Sequence, residues 1–329
     1  MSKEIKIGLI GAGWMGKAHT TAFHNARMIF GDDMPVFELV SDVSEDAVAK
    51  FAKNMGYNRY TTNWMDVVTD PEIDLVDVAT PNCMHYEMAK AALEHGKHVF
   101  CEKPLSLSAE QSRELADLAK EKGVVNYCGF SNIMNPANQC VAELVKSGKL
   151  GKIMRVHATY DQDMLLDPSI PIAWRHINKL AGSGALGDLC SHLLSVSQMI
   201  MGDMSEVLGV QSIVIPERPV KAGSTEMGKV ENDDLITFLV KYENGAIGDF
   251  SSSRVATGRK NYFYYEIQGT EGSVVYDLER MCEVQVYFKA DATRTTAVTA
   301  ASAPYCSTRS TRASSTSSRQ AASRSHSTI

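Results

Sequence analysis

Two side chains four positions apart, Asp188 and His192, could move a proton in this 329-residue chain. On a helix, this spacing places both side chains on one face. A histidine can take a proton from an alcohol near neutral pH, and a nearby carboxylate stabilises the charged ring. The same spacing is also typical of a helix-start aspartate, favoured by the dipole, followed by a core histidine. Spacing alone leaves both interpretations open.

Two polar segments follow predicted strands in the first third of the chain. Residues 80–82 come after a strand predicted over 75–79, and Lys103 comes after one predicted over 98–101. Ligands of open α/β sheets bind at the carboxyl ends of the strands. We therefore expect both segments to face one crevice, where Lys103 could donate or accept a proton. A solvated loop lysine is the alternative.

A glycine motif near the start of the chain predicts a phosphate site. Gly11, Gly13 and Gly16 form G-x-G-x-x-G between the apolar run 6–10 and a predicted helix. Gly11 permits a tight turn, Gly13 lets a pyrophosphate approach, and Gly16 allows close packing of helix on strand. Asp42 ends the second predicted strand and would bind the ribose of a dinucleotide. The alternative is a structural turn with a surface aspartate.

Alternating apolar runs and helical patterns predict the elements that position these residues. In residues 1–130 they indicate helices at 86–95 and 109–122 and strands at 5–10, 37–41, 75–79, 98–101 and 124–128. Strand–helix alternation favours right-handed βαβ units. We therefore predict an α/β fold with an N-terminal Rossmann domain, a doubly wound parallel sheet.

Residues 131–290 have a different pattern. They predict helices at 136–146 and 185–201 and strands at 153–160, 206–215, 235–242, 246–252, 262–268, 273–277 and 283–288. Tight turns between strands favour antiparallel pairing. This half is predicted to be a C-terminal α+β domain with a large, mainly antiparallel open sheet. A second subunit is the expected cover for the sheet face that the helices leave open.

An irregular stretch between these helices could hold a polyhydroxylated ligand. Trp174 offers an aromatic face beside the cation of Arg175, and Tyr160, Asp161 and Asp163 could bind hydroxyls. Trp174 filling the core between the domains is an equally good interpretation, and a structural role is equally open for Tyr160, Asp161 and Asp163.

Composition limits the classes of protein. No apolar run approaches the roughly 18 residues that suggest a membrane span, and the start lacks a signal-peptide layout. Seven cysteines without a C-x-x-C pair favour a reducing cytoplasm over a disulfide framework, and they form no zinc motif. The net charge of −6 argues against a nucleic-acid surface.

Four sequence blocks together resemble the Gfo/Idh/MocA family over roughly residues 4–290. They are 11–16 with Asp42, 79–82 with His85, 96–105, and 184–188 with His192. The third block is highly specific. Within the family the chain is most similar to levoglucosan- and inositol-type sugar dehydrogenases, as residues 172–175 and 181–188 indicate.

The resemblance implies an NAD-dependent dehydrogenase that oxidises a ring hydroxyl of a neutral sugar or cyclitol to a ketone. Lys103 would polarise the hydroxyl and His192 would take its proton, assisted by Asp188, while Asp42 would favour NAD over NADP. Cofactor contacts are expected from Gly11, Gly13, Trp14, Met15, Gly16, Asp42, Thr80, Pro81, Asn82, His85, Glu102 and Lys103. Substrate contacts are expected from Lys103, Tyr160, Trp174, Arg175, Asp188 and His192.

Two alternatives and two departures accompany the resemblance. The chain could use tightly bound NAD transiently without net oxidation, or be an inactive nucleotide-binding regulator. Residues 129–136 lack the arginine that family members often carry, which suggests a neutral ligand. Homo-oligomers, dimers or tetramers, are expected from the family.

The last segment, 291–329, is the second departure. After Asp291 it contains no Asp, Glu or Lys and carries five arginines, so the first 293 residues hold −6 − 5 = −11. Its Ser-, Thr- and Ala-rich composition buries too little apolar surface to order the chain, so we expect disorder. Relatives continue with ordinary sequence there, and we hypothesise that this segment is translated out of frame.

Overall fold

The first half of the chain forms a parallel sheet flanked by helices. The computed structural model describes residues 4–30, 35–291 and 295–299. Its first strands are β1 Ile5–Ile10, β2 Pro35–Ser41, β3 Arg59–Thr61, β4 Leu75–Val78, β5 His98–Cys101 and β6 Asn126–Cys128. The helices between them are α1 Trp14–Phe30, α2 Glu45–Met55, α3 Trp64–Thr69, α4 Asn82–Glu94 and α5 Ala109–Lys122.

The strand order is β3-β2-β1-β4-β5-β6, with every neighbouring pair parallel. This order is that of the doubly wound dinucleotide-binding fold, and it confirms the predicted Rossmann domain. The sheet reverses direction of winding between β1 and β4. The glycine motif after β1 and the segment after β4 therefore meet at the switch point, where ligands bind.

Local signals set the ends of these elements. The Ser108 hydroxyl accepts a hydrogen bond from the Gln111 N–H at 3.2 Å, and Gly123 ends α5 with a φ of 66°. Helix α4 begins at Asn82, four residues before the predicted start, because Pro81 in extended conformation precedes it. Strand β3 was not predicted, because three residues are too few to show periodicity.

In its described residues, the second half combines three helices with a large sheet. The helices are α6 Pro136–Lys146, α7 Asn178–Ala181 and α8 Ser191–Met201. The strands are β7 Ile153–Asp161, β8 Met204–Ser212, β9 Glu217–Pro219, β10 Met227–Lys229, β11 Leu235–Tyr242, β12 Ile247–Ser253, β13 Tyr262–Gly269, β14 Gly272–Asp277, β15 Glu283–Phe288 and β16 Thr295–Thr299.

Eight of these strands form one sheet in the order β16-β15-β14-β13-β7-β12-β11-β8. Among the described neighbours β7 and β12 run parallel and the other pairs are antiparallel, which confirms the predicted, mainly antiparallel sheet. Strands β9 and β10 form a separate ribbon.

One face of this sheet packs against α6 and α8. Along β13 the residues Phe263, Tyr265 and Ile267 are buried and alternate with more exposed neighbours, as the period of two in a strand requires. Phe238 and Phe250 stack on adjacent strands with ring centroids 5.2 Å apart. This packed layer supports α8, the helix that carries His192.

Strand β16 lies inside the segment that we expected to be disordered. Its residues pair with β15, from Thr295 opposite Tyr287 to Thr299 opposite Glu283. Threonine and valine favour strands, and an open sheet edge supplies the partner. The remaining prediction for this segment concerns residues 292–294 and 300–329, which lie outside the described residues. No helix in the described part of the chain is long and apolar enough to cross a membrane.

Candidate active site

The glycine motif has the space that a pyrophosphate needs. Gly11 has a φ of +105°, a conformation that other residues rarely adopt. A Cβ on Gly16 would lie 2.2 Å from the carbonyl oxygen of Gly11, whereas one on Gly13 would meet nothing within 4 Å. The open side at Gly13 faces outward beside Trp14, which is 79% exposed, and Met15, both in the first turn of α1. These residues fit a dinucleotide phosphate site.

Asp42 is attached to this loop. It follows β2, and its Oδ2 accepts a hydrogen bond from the Ala12 N–H at 2.9 Å. No described residue donates a hydrogen bond to its Oδ1. The carboxylate is therefore held at the glycine loop with an oxygen available for ribose hydroxyls.

The loops after β4 and β5 are joined by a buried histidine. His85 is 1% exposed, and its ring nitrogens lie 2.7 Å from the Pro104 carbonyl and 2.8 Å from the Thr80 carbonyl. The Asn82 amide donates to the Ala181 carbonyl at 3.0 Å. His85 thus supports the two loops from beneath, and Asn82, next to Pro81, ties one of them to the second half of the chain.

Lys103 and Asp188 form the centre of the crevice. The Lys103 Nζ donates to Asp188 Oδ1 at 3.0 Å and to the Asp188 backbone carbonyl at 2.7 Å. Arg175 Nε lies 3.6 Å from Asp188 Oδ2. Burial acts to raise the pKa of Asp188, but the charges of Lys103 and Arg175 outweigh burial and hold it below its usual value. Lys103 is paired and half-buried in a site, so it is not the solvated loop lysine of the alternative interpretation.

His192 is half-buried and uncharged at neutral pH. Burial first, and then the charge of Lys103, lower the pKa of His192 to about 4 against the opposing charges of Glu102 and Asp188. The ring lies edge-on to Phe130 and Tyr160, with centroids 5.8 and 6.0 Å away. Its buried Nδ1 has no hydrogen-bond partner among the described residues. The described hydrogen bonds of the Asp188 side chain go to Lys103. The residue that the carboxylate orients directly is therefore the lysine.

The helix predicted over 185–201 begins with a π-helical turn. Residues Leu186–Cys190 are π-helical and run directly into α8, so Asp188 and His192 belong to different helix types. Such turns are rare in proteins, and those that occur are often found at functional sites. The sequence pattern does not distinguish a π turn from an α turn, because both bury one apolar face.

A residue that the sequence analysis missed, Asp233, holds the start of this helix. Its two carboxylate oxygens accept the N–H groups of Gly184 and Leu186 at 2.7 and 2.9 Å. A Cβ on Gly184 would lie 1.8 Å from the Asp233 carbonyl oxygen. The glycine in this block is therefore explained by close contact with the irregular segment just before β11.

The predicted substrate residues lie around the same centre. The Arg175 guanidinium sits over the Trp174 ring at 4.3 Å, and Trp174 is half-buried outside the hydrophobic core. The Tyr160 hydroxyl donates to Asn261 Oδ1 at 2.7 Å, and burial raises the pKa of Tyr160 to about 12. Tyr160 thus presents its ring to His192 while Asn261, a residue not predicted, binds its hydroxyl.

Glu102 is buried beside Lys103. Its carboxylate is 7% exposed, hydrogen-bonds the ring of His19 at 3.0 Å, and accepts the Lys103 N–H at 3.0 Å. The structure therefore places Glu102 beneath Lys103 in a buried cluster with His19 and Asp77, two residues that the sequence analysis did not single out. Within the described residues no group of three or more His, Cys, Asp or Glu could hold a metal ion.

The parallel sheet carries a glycine loop after β1 and an acid after β2. These features lie beside a crevice with a lysine, a carboxylate and a histidine. Together they define a dinucleotide-dependent oxidoreductase. Comparison with known families agrees. Residues 5–130 match the model of an oxidoreductase family with an NAD-binding Rossmann fold, and residues 138–275 match the GFO/IDH/MocA C-terminal domain. The chain belongs to the GFO/IDH/MocA family of NAD-dependent oxidoreductases.

Several relatives are sugar or cyclitol dehydrogenases. Levoglucosan dehydrogenase of Pseudarthrobacter phenanthrenivorans is 37% identical over 302 residues, which span 88% of this chain and 77% of that protein. Myo-inositol 2-dehydrogenase of Thermotoga maritima is 27% identical over 280 residues, spanning 83% and 75%. A solved structure of levoglucosan dehydrogenase with NADH and L-sorbose has a TM-score of 0.86 at 38% identity, covering 90% of this chain and 79% of that one.

Proposed function

We propose that this chain oxidises a ring hydroxyl of a neutral sugar or cyclitol to a ketone with NAD. The observation that carries the proposal is the placement of Lys103, Asp188 and the neutral His192 around one crevice. The similarity to levoglucosan and inositol dehydrogenases supports the substrate class. The lack of an arginine in residues 129–136 supports a ligand without charge.

Each side chain has a distinct part in the reaction. The Lys103 ammonium donates a hydrogen bond to the reacting oxygen and stabilises negative charge that develops there. His192 accepts the proton of the hydroxyl, because a ring with a lowered pKa is neutral and free to act as a base at neutral pH. Asp188 holds the Lys103 Nζ in place. When bound, NAD supplies the hydride acceptor.

The other predicted residues, apart from the buried His85 and Glu102, bind the two ligands. Gly11, Gly13 and Gly16 would hold the pyrophosphate, with Trp14 and Met15 at its helix, and Asp42 would hold the ribose. Residues 80–82 would lie along the nicotinamide end. On the substrate side, Trp174 offers its ring to the apolar face of a sugar, Arg175 donates to hydroxyls, and Tyr160 closes the pocket beside His192.

An assembly of identical subunits is part of the proposal. The sheet face opposite α6 and α8 exposes apolar side chains, among them Leu239 and Ile247, each 57% exposed. A dimer or tetramer through this face would cover them. The cytoplasm stays the predicted compartment.

The test is net NADH formation with neutral sugars and cyclitols, run in parallel with NAD and NADP. The panel includes levoglucosan, myo- and scyllo-inositol, glucose and xylose. Multiple turnovers with NAD and one substrate class support the proposal. NAD binding without NADH release would favour transient use of a retained cofactor, and NAD binding without any turnover would favour a regulatory protein.

A further inference from the structure

A buried histidine joins three cofactor-binding segments of the first domain. His19 lies in α1 and is 7% exposed. Its Nδ1 lies 3.0 and 3.1 Å from the two carboxylate oxygens of Asp77, and its Nε2 lies 3.0 Å from Glu102 Oε1. Asp77 and Glu102 are 1% and 7% exposed. Both ring nitrogens therefore face carboxylates in a site without bulk water.

With both carboxylates ionised, this arrangement requires the charged ring. A neutral imidazole has one N–H and can donate to one carboxylate, whereas an imidazolium donates to both. Burial acts to lower the pKa of His19, but the hydrogen bonds to Asp77 and Glu102 outweigh burial and raise it to about 10. The ring also stacks on Phe100 at 4.6 Å. His19 is thus a cation at neutral pH, hydrogen-bonded to Glu102, whose pKa is lowered, and to Asp77, whose pKa is raised by burial.

The carboxylate that His19 holds is in contact with Lys103. The second oxygen of Glu102, Oε2, accepts the Lys103 N–H at 3.0 Å. A Cβ on Gly129 would lie 2.8 Å from Glu102 Oε1, so the carboxylate fills the space beside β6. Lys103 then extends to Asp188. A continuous path of contacts leads from α1 through Glu102 to the reacting lysine.

We propose that His19 is a positioning residue for Lys103, acting as a charged bridge that fixes Glu102 and thereby the backbone of the lysine. The inference rests on the proposed function only for its kinetic consequence. His19 comes three residues after Gly16, and Asp77 comes three residues before Thr80. The same bridge therefore ties the phosphate-binding helix to both loops at the reacting end of the crevice.

Three other titratable groups around the bridge add no charge to it. Tyr57 packs from the segment after α2, Cys101 from β5 and Cys128 from β6. Burial raises the pKa of each of these three groups, to about 12 for Cys128, so they stay neutral at ordinary pH. Among the described residues, Lys103 is the other cation that acts on Glu102.

The kinetic test compares His19→Gln with a matched control in the same helix, His24→Gln, since His24 is exposed and bonds the Met55 carbonyl. The introduced amide is neutral, and its oxygen cannot donate to the second carboxylate. Because displacement of a catalytic group by about 1 Å can cost roughly 100-fold in rate, we expect kcat of H19Q to fall at least about 10-fold. The KM for NAD should change by less than about threefold, and H24Q should match the wild type.

A pH profile separates positioning from general damage. Without the imidazolium, the pKa of Glu102 rises. As pH is lowered, the kcat of H19Q should therefore begin to fall at a higher pH than the kcat of the wild type. A purely structural defect would lower kcat at all pH values alike. A kcat of H19Q equal to that of H24Q would overturn the proposal.

Nitrogen NMR of the histidine-labelled full chain tests the bridge without any turnover. Both ring nitrogens of His19 should stay protonated at about pH 8, well above the ordinary histidine pKa. The signal missing in H19Q assigns the resonance; if H19Q does not fold, Glu102→Gln shifts the same signal and should show the same loss of kcat. A ring with one proton overturns the inference. A wild type that forms no NADH with any sugar contradicts the proposed function alone, because the NMR result still decides the bridge.

Discussion

Lys103 and Asp188 come from different halves of the chain, and the lysine Nζ donates twice to the aspartate, to its carboxylate at 3.0 Å and to its backbone carbonyl at 2.7 Å. The backbone contact fixes the position of Lys103 against the π-helical turn that carries Asp188. The lysine is therefore oriented before a ligand arrives, which reduces the cost of ordering it during the reaction.

Replacing either partner should reduce turnover while cofactor binding persists. We expect Lys103→Ala to lower kcat by about 10²- to 10⁴-fold, the usual range for a proton-transfer or polarising group. Asp188→Asn retains the shape but removes the charge that orients the lysine, so a smaller loss is expected. Steady-state kinetics and calorimetric titration with NAD measure both quantities. A parallel loss of NAD affinity would contradict this division of roles.

The matched control is an exposed ion pair. Lys90 Nζ lies 2.6 Å from Glu114 on the surface between α4 and α5. Because exposed pairs contribute at most about 1 kcal/mol, Lys90→Ala should leave kcat and the KM for NAD close to the wild-type values.

The pH dependence should report His192. Its pKa of about 4 means that the base is neutral and active above that pH, and activity is lost as pH falls through it. Profiles of kcat/KM report such groups in the free enzyme. An acid limb near the ordinary value of 6.5 would contradict the account. In His192→Asn this limb should disappear along with about 10²- to 10⁴-fold of the rate.

The same pKa makes a stability prediction with a definite sign. The unfolded histidine binds a proton near pH 6.5, whereas the folded one does so only near pH 4. Protons therefore favour the unfolded chain between these values, and the contribution of His192 to stability is present above pH 6.5 and lost as pH falls. The free energy of unfolding of His192→Asn should depend less on pH in this window than that of the wild type.

Asp42 should set the choice of cofactor. Its carboxylate repels a 2′-phosphate and would accept hydrogen bonds from ribose hydroxyls. Hydrogen bonds to a charged group contribute about 1.5–3 kcal/mol, so Asp42→Ser should reduce the NAD:NADP ratio of kcat/KM by about 10-fold or more. Asp46→Ser, on the exposed first turn of α2, is the control. An unchanged ratio in the Asp42 variant would remove this residue from the cofactor site.

Two glycine variants should affect different properties, NAD binding in one case and stability in the other. A methyl group on Gly13 meets nothing within 4 Å, so Gly13→Ala should keep its melting temperature while its NAD affinity falls. A methyl group on Gly184 would lie 1.8 Å from the Asp233 carbonyl oxygen. Gly184→Ala should therefore destabilise the fold by about 1–3 kcal/mol and displace the π-helical turn and α8, which carry Asp188 and His192. Thermal unfolding and NAD titration of both variants distinguish the cases. Normal NAD binding by Gly13→Ala would contradict the phosphate site.

The sequence predicts the fold and the central residues because their signals are local. Gly11, Gly13 and Gly16 stand at fixed spacing after an apolar strand, and Lys103 comes two residues after another strand. The alternation of strands and helices is sufficient to predict the parallel sheet. Tight turns between strands are sufficient to predict the antiparallel one.

The supporting residues give no such signal. Asp233 meets Gly184 across 49 residues, and His19 meets Glu102 across 83. Their partners are determined only by the packed fold, and an aspartate or histidine in isolation has no characteristic spacing. The π turn at Asp188 is hidden for a related reason, since one extra residue in a helical turn barely changes the apolar pattern.

The most direct test of the central claim follows the hydrogen itself. A sugar that supports turnover, deuterated at its ring carbons, is incubated in ordinary water with the full chain and NAD, and the NADH is analysed by mass spectrometry. Direct hydride transfer predicts one deuterium per NADH and a slower rate than with the undeuterated sugar. NADH without deuterium would contradict the account, because the hydrogen would then have come from solvent and not from the carbon that bears the hydroxyl.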